Sequence, residues 1–350
     1  MSGRRERHMK IELDNRDLRY TGRIDDRNPK KPEFIFAATS LEFRFLGTRA
    51  VLTVTNRRQY WNSYIGVIVD GVQQCMQLNE SGETVLELVN GPLAEHTVMV
   101  FKRMDSCHEF VLEELELDGE LLQMPQRPGR RIEVYGDSVS AGEVVEALDY
   151  IGKEDPEHEG QYSNSWYSYS WQTARRLKAE LHDTAQGGIA LLDGTGWFCE
   201  PDYVGMESAW DKVHYNPEFG EITEWDFSRY CPQLVIVAIG QNDSHPYDYM
   251  KEDPGGEKAA KWKKHYGDFL GRIRGVYPQA HIICITTLLE HDRAWDDAIE
   301  EVCQRTGDKK ISHYVFRRNG NATPGHLRIP EAQEMAEELE SYINGLDIEW

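Results

Sequence analysis

The sequence predicts a β plus α/β protein. An N-terminal antiparallel β-sandwich over residues 1–126 is followed, over residues 127–350, by a parallel sheet with helices on both faces. Three observations predict this. The first third carries short alternating runs separated by turn signals, with almost no helical period. From Arg131 onward, short apolar runs alternate with helix-length stretches, the pattern of a parallel sheet. The chain has 350 residues, beyond the roughly 100–150 of a typical single domain.

In the first third, Ser40 to Phe45 places Leu41, Phe43 and Phe45 on one side and Glu42 and Arg44 on the other. That is the period of a half-buried strand. Tyr64 to Val69 runs into Asp70-Gly71, a hairpin turn signal. Thr97 to Arg103 alternates more loosely. Phe110 to Leu117 is strand-like and acid-rich, and Asp118-Gly119 follows it. Pro125 and Arg127-Pro128-Gly129 punctuate the end of the first domain.

The second part offers strands at Ile132 to Tyr135, Leu234 to Ile239, His281 to Thr286 and Ile311 to Phe316. Helices are expected over Ser165 to Leu181, Glu257 to Val276, Arg293 to Arg305 and Pro330 to Ile343. Pro330 suits a first helical turn, where a missing N–H costs nothing. In such sheets ligands bind outside the carboxyl ends of the strands. Leu191 to Arg229 shows little regular pattern but holds Trp197, Tyr203, Trp210, Tyr215 and Trp225. It reads either as a substrate wall or as an irregular lid without a ligand role.

Composition narrows the function classes. Sixty Asp+Glu against 39 Lys+Arg give a net charge of −21. That argues against nucleic acid as the main ligand, since phosphates need a cationic face. No apolar run approaches the ~18 residues of a membrane span. The start is basic and lacks the apolar stretch of a signal peptide, so as written the chain reads as cytoplasmic; a secreted mature form would read the same. The six cysteines contain no C-x-x-C pair and read as buried free thiols rather than zinc ligands. His214, His281, His291 and His313 show no metal-like spacing with carboxylates. No metal and no cofactor are expected. The acidic residues Glu331, Glu334, Glu337 and Glu338 read as a solvated helix face.

Four blocks carry chemistry. Ile132 to Gly142 is a buried strand running into Gly136-Asp137-Ser138, which presents Ser138 at a strand end. A serine there is a nucleophile only beside a base and an oxyanion site; alone, the tripeptide is an ordinary turn or cap. Gly240-Gln241-Asn242-Asp243 leaves another strand, and Asn242 brings a side-chain donor to the same edge. Asp183 to Gly188 reads as a strand ending in glycines, whose backbone N–H groups can approach a ligand closely. Thr323-Pro324-Gly325-His326 precedes the last helix and returns a histidine to that edge as a base.

These blocks, in this order, resemble those of the SGNH (GDSL-type) hydrolases. The run Glu133 to Glu143 narrows the likeness to the acetyl esterases of carbohydrate esterase family two. That family places a jelly-roll β-sandwich before a three-layer α/β/α hydrolase domain. The segments Tyr20-Thr21-Gly22-Arg23-Ile24-Asp25 and Phe45-Leu46-Gly47-Thr48 are similar to its early motifs, so the resemblance runs from about Tyr20 to Ile343.

The resemblance implies a serine esterase that removes O-acetyl groups from sugars. The implied substrates are acetylated xylo- or gluco-/mannosaccharides, as oligosaccharide or polysaccharide, and a homo-oligomer is compatible with it. Ser138 takes the role of nucleophile and His326 of base. The oxyanion donors are the Ser138 N–H, the Asn242 side chain and the N–H of Gly187, or of Gly188 one residue on. Such hydrolases usually carry Asp three residues before the histidine, where this chain has Thr323. A Ser–His dyad is therefore expected, with His326 oriented by a carbonyl, by Thr323 or by an acid from elsewhere. Trp197, Trp295 and His245 are the candidate substrate contacts. Alternatives are a general SGNH lipase or thioesterase, and a catalytically inactive carbohydrate-binding protein.

Overall fold

The structure, a computed structural model, describes residues 9–350. The basic stretch 1–8, on which the reading of the chain's start partly rests, lies outside the described residues. The chain divides into two compact units. One runs up to Arg127 and takes in Glu159–Gln161; the other comprises Pro128–His158 and Tyr162–Trp350.

The first unit is antiparallel throughout. Its strands are β1 (Met9–Ile11), β2 (Arg19–Thr21), β3 (Ile24–Asp25), β4 (Glu33–Phe34), β5 (Ser40–Arg58), β6 (Tyr64–Val69), β7 (Val72–Gln77), β8 (Gly82–Lys102), β9 (His108–Leu117) and β10 (Glu120–Leu122). Two long strands organise them. The first half of β5 pairs with β2 and β10, and its second half with β9. β8 follows β5 along its length and gives its last residues to β6. The sheet therefore curls into two leaves that share β5 and β8. Register irregularities at Gly47/Arg49, Ala50/Val51 and Thr53/Val54 fall where β5 bends, as extra residues in a ladder require. The Asp118 carboxylate accepts the Thr48 and Arg49 N–H groups at 2.7 and 2.8 Å at this bend. Phe34, Phe43, Phe45, Leu52, Val54 and Phe110 fill the space between the leaves. Asp70 and Gly71, at φ 52° and 84°, make the expected two-residue turn between β6 and β7.

The second unit is a five-stranded parallel sheet in the order β12-β11-β13-β14-β15. Its strands are β11 (Arg130–Gly136), β12 (Ala179–Ala185), β13 (Leu234–Ala238), β14 (His281–Cys284) and β15 (Ile311–His313). The helices are α1 (Ser138–Ala141), α2 (Tyr169–Arg176), α3 (Met206–Ala209), α4 (Tyr249–Glu252), α5 (Glu257–Val276), α6 (Ala294–Thr306) and α7 (Ile329–Asn344). α2 packs on α7, and α5 packs on α6. This is the jelly roll plus three-layer α/β/α architecture expected from the sequence.

Three expectations are corrected. The helix expected to reach Leu181 stops at Arg176, because Lys178 turns left-handed (φ 53°) and the chain enters β12. Residues 191–229 bury Trp210, Tyr215 and Trp225 and leave Trp197 55 % exposed, as both readings of the segment allow. Cys107, Cys284 and Cys303 are buried free thiols, but Cys75 and Cys231 are exposed. Glu331 and Glu338 are buried rather than solvated, because each accepts hydrogen bonds from residues 314–328. Among the described residues no helix is long and apolar enough to cross a membrane.

Candidate active site

Strand register assembles the site. Gly136 lies opposite Ala185 of β12 on one side and Ala238 of β13 on the other. The three segments that follow therefore leave the sheet at one level, at the carboxyl edge where ligands gather. The Gln186 N–H donates to the Gly136 carbonyl at 3.1 Å, fixing the second block against the first.

Gly136 must be glycine. A Cβ there would lie 2.0 Å from Ser140 Oγ, so the turn into α1 closes only without a side chain. Asp137 caps this one-turn helix, its Oδ1 accepting the Val139 N–H at 3.0 Å. Burial pushes the Asp137 carboxyl up to about 6, although the Val139 N–H and the His326 charge oppose the shift. Ser138 opens the helix and is 6 % exposed. Gly142 then ends it at φ 79°, with no room for a Cβ beside the Asn164 carbonyl 2.6 Å away.

Asn242 Nδ2 donates to Asp137 Oδ2 at 3.3 Å and to the Ile189 carbonyl at 3.0 Å. The third block is thereby brought against the first and second. Asp243, fully buried, accepts the Leu191 and Leu192 N–H groups at 2.8 and 3.2 Å. Burial pushes its carboxyl up to about 7 against the pull of those donors. Gly188 needs its left-handed backbone (φ 73°) and approaches Trp197 closely. Gly187 precedes it, buried at the end of the same turn.

His326 has a carboxylate partner. Its Nδ1 lies 2.6 Å from Asp155 Oδ2, so the expected Ser–His dyad is corrected to an arrangement with an acid from a distant loop. Asp155 is held in turn by Arg328, whose Nη2 donates to Oδ1 at 2.8 Å while Nη1 donates to the His326 carbonyl at 2.7 Å. Burial alone would raise Asp155; His326 and Arg328 outweigh it and hold the carboxyl below its ordinary value. The Nε2 of His326 faces Glu143 Oε2 at 3.3 Å. Burial lowers the imidazole, but hydrogen bonds to Asp155 and Glu143 prevail and raise it to about 10.

Thr323 does not orient His326. Its N–H and Oγ1 donate to Glu331 Oε1 at 2.8 and 3.0 Å, and its Oγ1 accepts the Gly152 N–H at 2.8 Å. Glu331 Oε2 also accepts the Arg328 N–H at 2.9 Å. Thr323 thus ties the histidine loop to the segment that carries Asp155. The Ile329 N–H donates to the Val145 carbonyl at 3.0 Å, docking the same loop beside the Ser138 turn.

Of the candidate substrate contacts, Trp197 and His245 meet. Their rings stack with centroids 3.3 Å apart and planes at 21°, and the Gly196 N–H donates to the His245 carbonyl at 3.1 Å. His245 also lines a cavity of about 310 Å³ with Thr195, Tyr247, Tyr249 and Lys258. Trp295 is a correction. It is fully buried in α6, edge-on to Tyr249 and Trp262, with Nε1 donating to Asp248 at 3.1 Å. No face of it is left for a sugar. Sequence reasoning gave no role to Asp155, Arg328, Glu331 or the Glu143 side chain. Glu331 closes a capping box on the Arg328 N–H, but the sequence signature needs Ser, Thr, Asp or Asn at the cap and an arginine stands there; nothing local marked Asp155.

Fold and blocks together resemble those of the SGNH (GDSL-type) hydrolases and, among them, the acetyl esterases of carbohydrate esterase family two. Residues 20–125 match the family model described as "Carbohydrate esterase 2 N-terminal". The chain is 29 % identical to the cellulase/esterase CelE of Acetivibrio thermocellus over 349 residues, 94 % of this chain and 39 % of that protein. It is 28 % identical to an acetylxylan esterase / glucomannan deacetylase of Cellvibrio japonicus over 312 residues, covering 88 % of this chain and 81 % of the relative. A solved family-two carbohydrate esterase from Cellvibrio japonicus superposes with a TM-score of 0.81 at 24 % identity, covering 97 % of each chain. The chain thus spans well under half the length of CelE and most of the length of the other two.

Proposed function

We propose that this chain is a serine esterase that removes O-acetyl groups from sugars. The observation that carries the reading is the carboxylate-held histidine: His326 on Asp155, docked beside the turn that bears Ser138. In the reaction, His326 Nε2 takes the Ser138 proton as Oγ attacks the acetyl carbonyl carbon. The oxyanion is held by the Ser138 and Gly187 N–H groups and by Asn242, acting where charge develops. His326 then protonates the departing sugar oxygen. A water, deprotonated by the same nitrogen, cleaves the acetyl-enzyme and releases acetate.

Carbohydrate as the substrate is supported by the names of both curated relatives and by the exposed Trp197 ring, an apolar face of the kind that sugar rings stack on. Acetylated xylo- or gluco-/mannosaccharides are the substrates this favours. The binding-only alternative drew on the lack of an acid at position 323. Asp155 supplies that carboxylate, so the observation no longer favours it.

The test is acetate release from acetylated xylo- and mannooligosaccharides by wild type and Ser138→Ala. Wild type should turn over, and the variant should lose on the order of 10⁶ in kcat. An active Ser138→Ala enzyme would sink the assignment.

A further inference from the structure

Nε2 of His326 is the atom the proposed reaction needs facing Ser138. In the structure that nitrogen faces Glu143 Oε2 at 3.3 Å. Ser138 Oγ makes no hydrogen bond with the ring among the described residues. Glu143 follows the left-handed Gly142, and its own N–H donates to the Ser138 carbonyl at 2.9 Å. The turn that presents the nucleophile therefore also presents a carboxylate to the base. Both side chains are sheltered, Glu143 at 11 % exposure and His326 at 22 %, so solvent screens the pair weakly.

We infer that Glu143 is a latch on His326, holding the base protonated and its Nε2 away from Ser138 until Glu143 is displaced or the proton leaves.

The chemistry follows from the ring's two ends. An imidazolium donates at both nitrogens, and here each end meets a carboxylate, Asp155 at Nδ1 and Glu143 at Nε2. A neutral ring with its proton on Nδ1 would set the Nε2 lone pair against carboxylate oxygens, so the pair retains one proton between them. That proton blocks transfer from Ser138, because a nitrogen already protonated accepts nothing. Two further charged groups, of opposite sign, stand near the ring. Asp137 acts through space from the nucleophile turn and favours the cation, while Arg328 is taken up by Asp155. The raised imidazole value described above has the direction this arrangement requires. Glu143 is thus a positioning residue, working through His326.

Two measurements test the latch. The first is kcat/KM for 4-nitrophenyl acetate from pH 5 to 10, which reports the base of the free enzyme. The wild-type acid limb should lie at least one pH unit above the ordinary imidazole value of about 6.5. Glu143→Gln should move it down by at least one unit, raising kcat/KM at pH 6.5 about tenfold. A limb unmoved by Glu143→Gln overturns the latch, as does a loss of activity at every pH. The second needs neither a folded variant nor turnover: NMR titration of the ¹⁵N-histidine-labelled wild-type chain. His326 should still carry both ring protons at pH 8, and a ring neutral at pH 7 overturns the inference. The kinetic arm rests on the esterase reading and the titration does not. A wild type inactive at all pH values would count against the function and leave the titration to decide the latch.

Discussion

Asp155 Oδ2 lies 2.6 Å from His326 Nδ1 although 171 positions separate the two residues. Arg328 binds the other Asp155 oxygen and the His326 carbonyl. One fully buried guanidinium therefore fixes both the acid and the loop of the base.

Asp155→Asn should keep the shape of this triangle and lose its charge. The imidazolium formed in the transition state would lack a counter-ion and the ring's tautomer would no longer be set. A drop on the order of 10⁴ in kcat is expected. The Arg328 charge would also stand without its carboxylate, which costs about 3–5 kcal/mol for a buried pair. Steady-state kinetics and thermal melting read the two effects separately. A fully active Asp155→Asn enzyme would show that the carboxylate is not needed.

Thr323→Asp should not rescue a missing acid. Position 323 faces Glu331 and is 2 % exposed, so the new carboxylate meets a like charge. Thr323→Ala should strand the Gly152 N–H at a cost of about 1–3 kcal/mol and loosen the segment bearing Asp155. Both variants should melt below wild type, with Thr323→Asp the less stable and neither faster. A rate increase in Thr323→Asp would mean that the loop reaches His326 after all.

Trp197→Ala should raise KM for an acetylated oligosaccharide roughly tenfold, the equivalent of about 1–1.5 kcal/mol of aromatic contact. Turnover of 4-nitrophenyl acetate, which has no sugar ring, should not change. Equal effects on the two substrates would place Trp197 in the fold rather than in binding.

Stability should fall as pH rises through about 7, in part because of Asp243. Its carboxyl sits at about 7 in the fold and at about 3.9 when unfolded. Between those values the folded state holds the extra proton, so the contribution is complete below about 3.9 and lost as pH rises through 7. Asp155, held low, acts in the opposite sense and loses its contribution as pH falls. Asp243→Asn should start less stable, since one backbone N–H loses its acceptor, yet fall less in Tm between pH 5 and pH 8. An undiminished fall would assign the dependence to other groups.

Strand ends were the most legible part of the site. Ser138 and Asn242 each follow a short apolar run, and parallel register carries both to one edge. α5 was readable along its whole length because its buried positions, Ala259, Trp262, Tyr266, Phe269, Leu270 and Ile273, keep helical spacing. β8 was readable only at its end. Its middle carries Gly91 and Pro92 and is largely exposed, so no alternation marks a strand held by β5. Only the start of β12 hid inside an expected helix, because Ala179, Glu180 and Leu181 also suit helices, and pairing with β11 decides otherwise. Asp155 was illegible for a different reason. It sits in a segment without period, and what gives it a role is a contact with a loop at the far end of the chain. Trp295 misled because proximity along the chain to a strand end says nothing about which way a helix turns its face.

The shared strands of the first unit carry a mechanical consequence. β5 and β8 pass through both leaves, so neither leaf has a seam along which to peel away. Opening either one frays a ladder that the other also uses. The sandwich should accordingly yield as a single body, with amide hydrogen exchange slowed to a similar degree from Ser40 to Arg58 rather than in two separate steps.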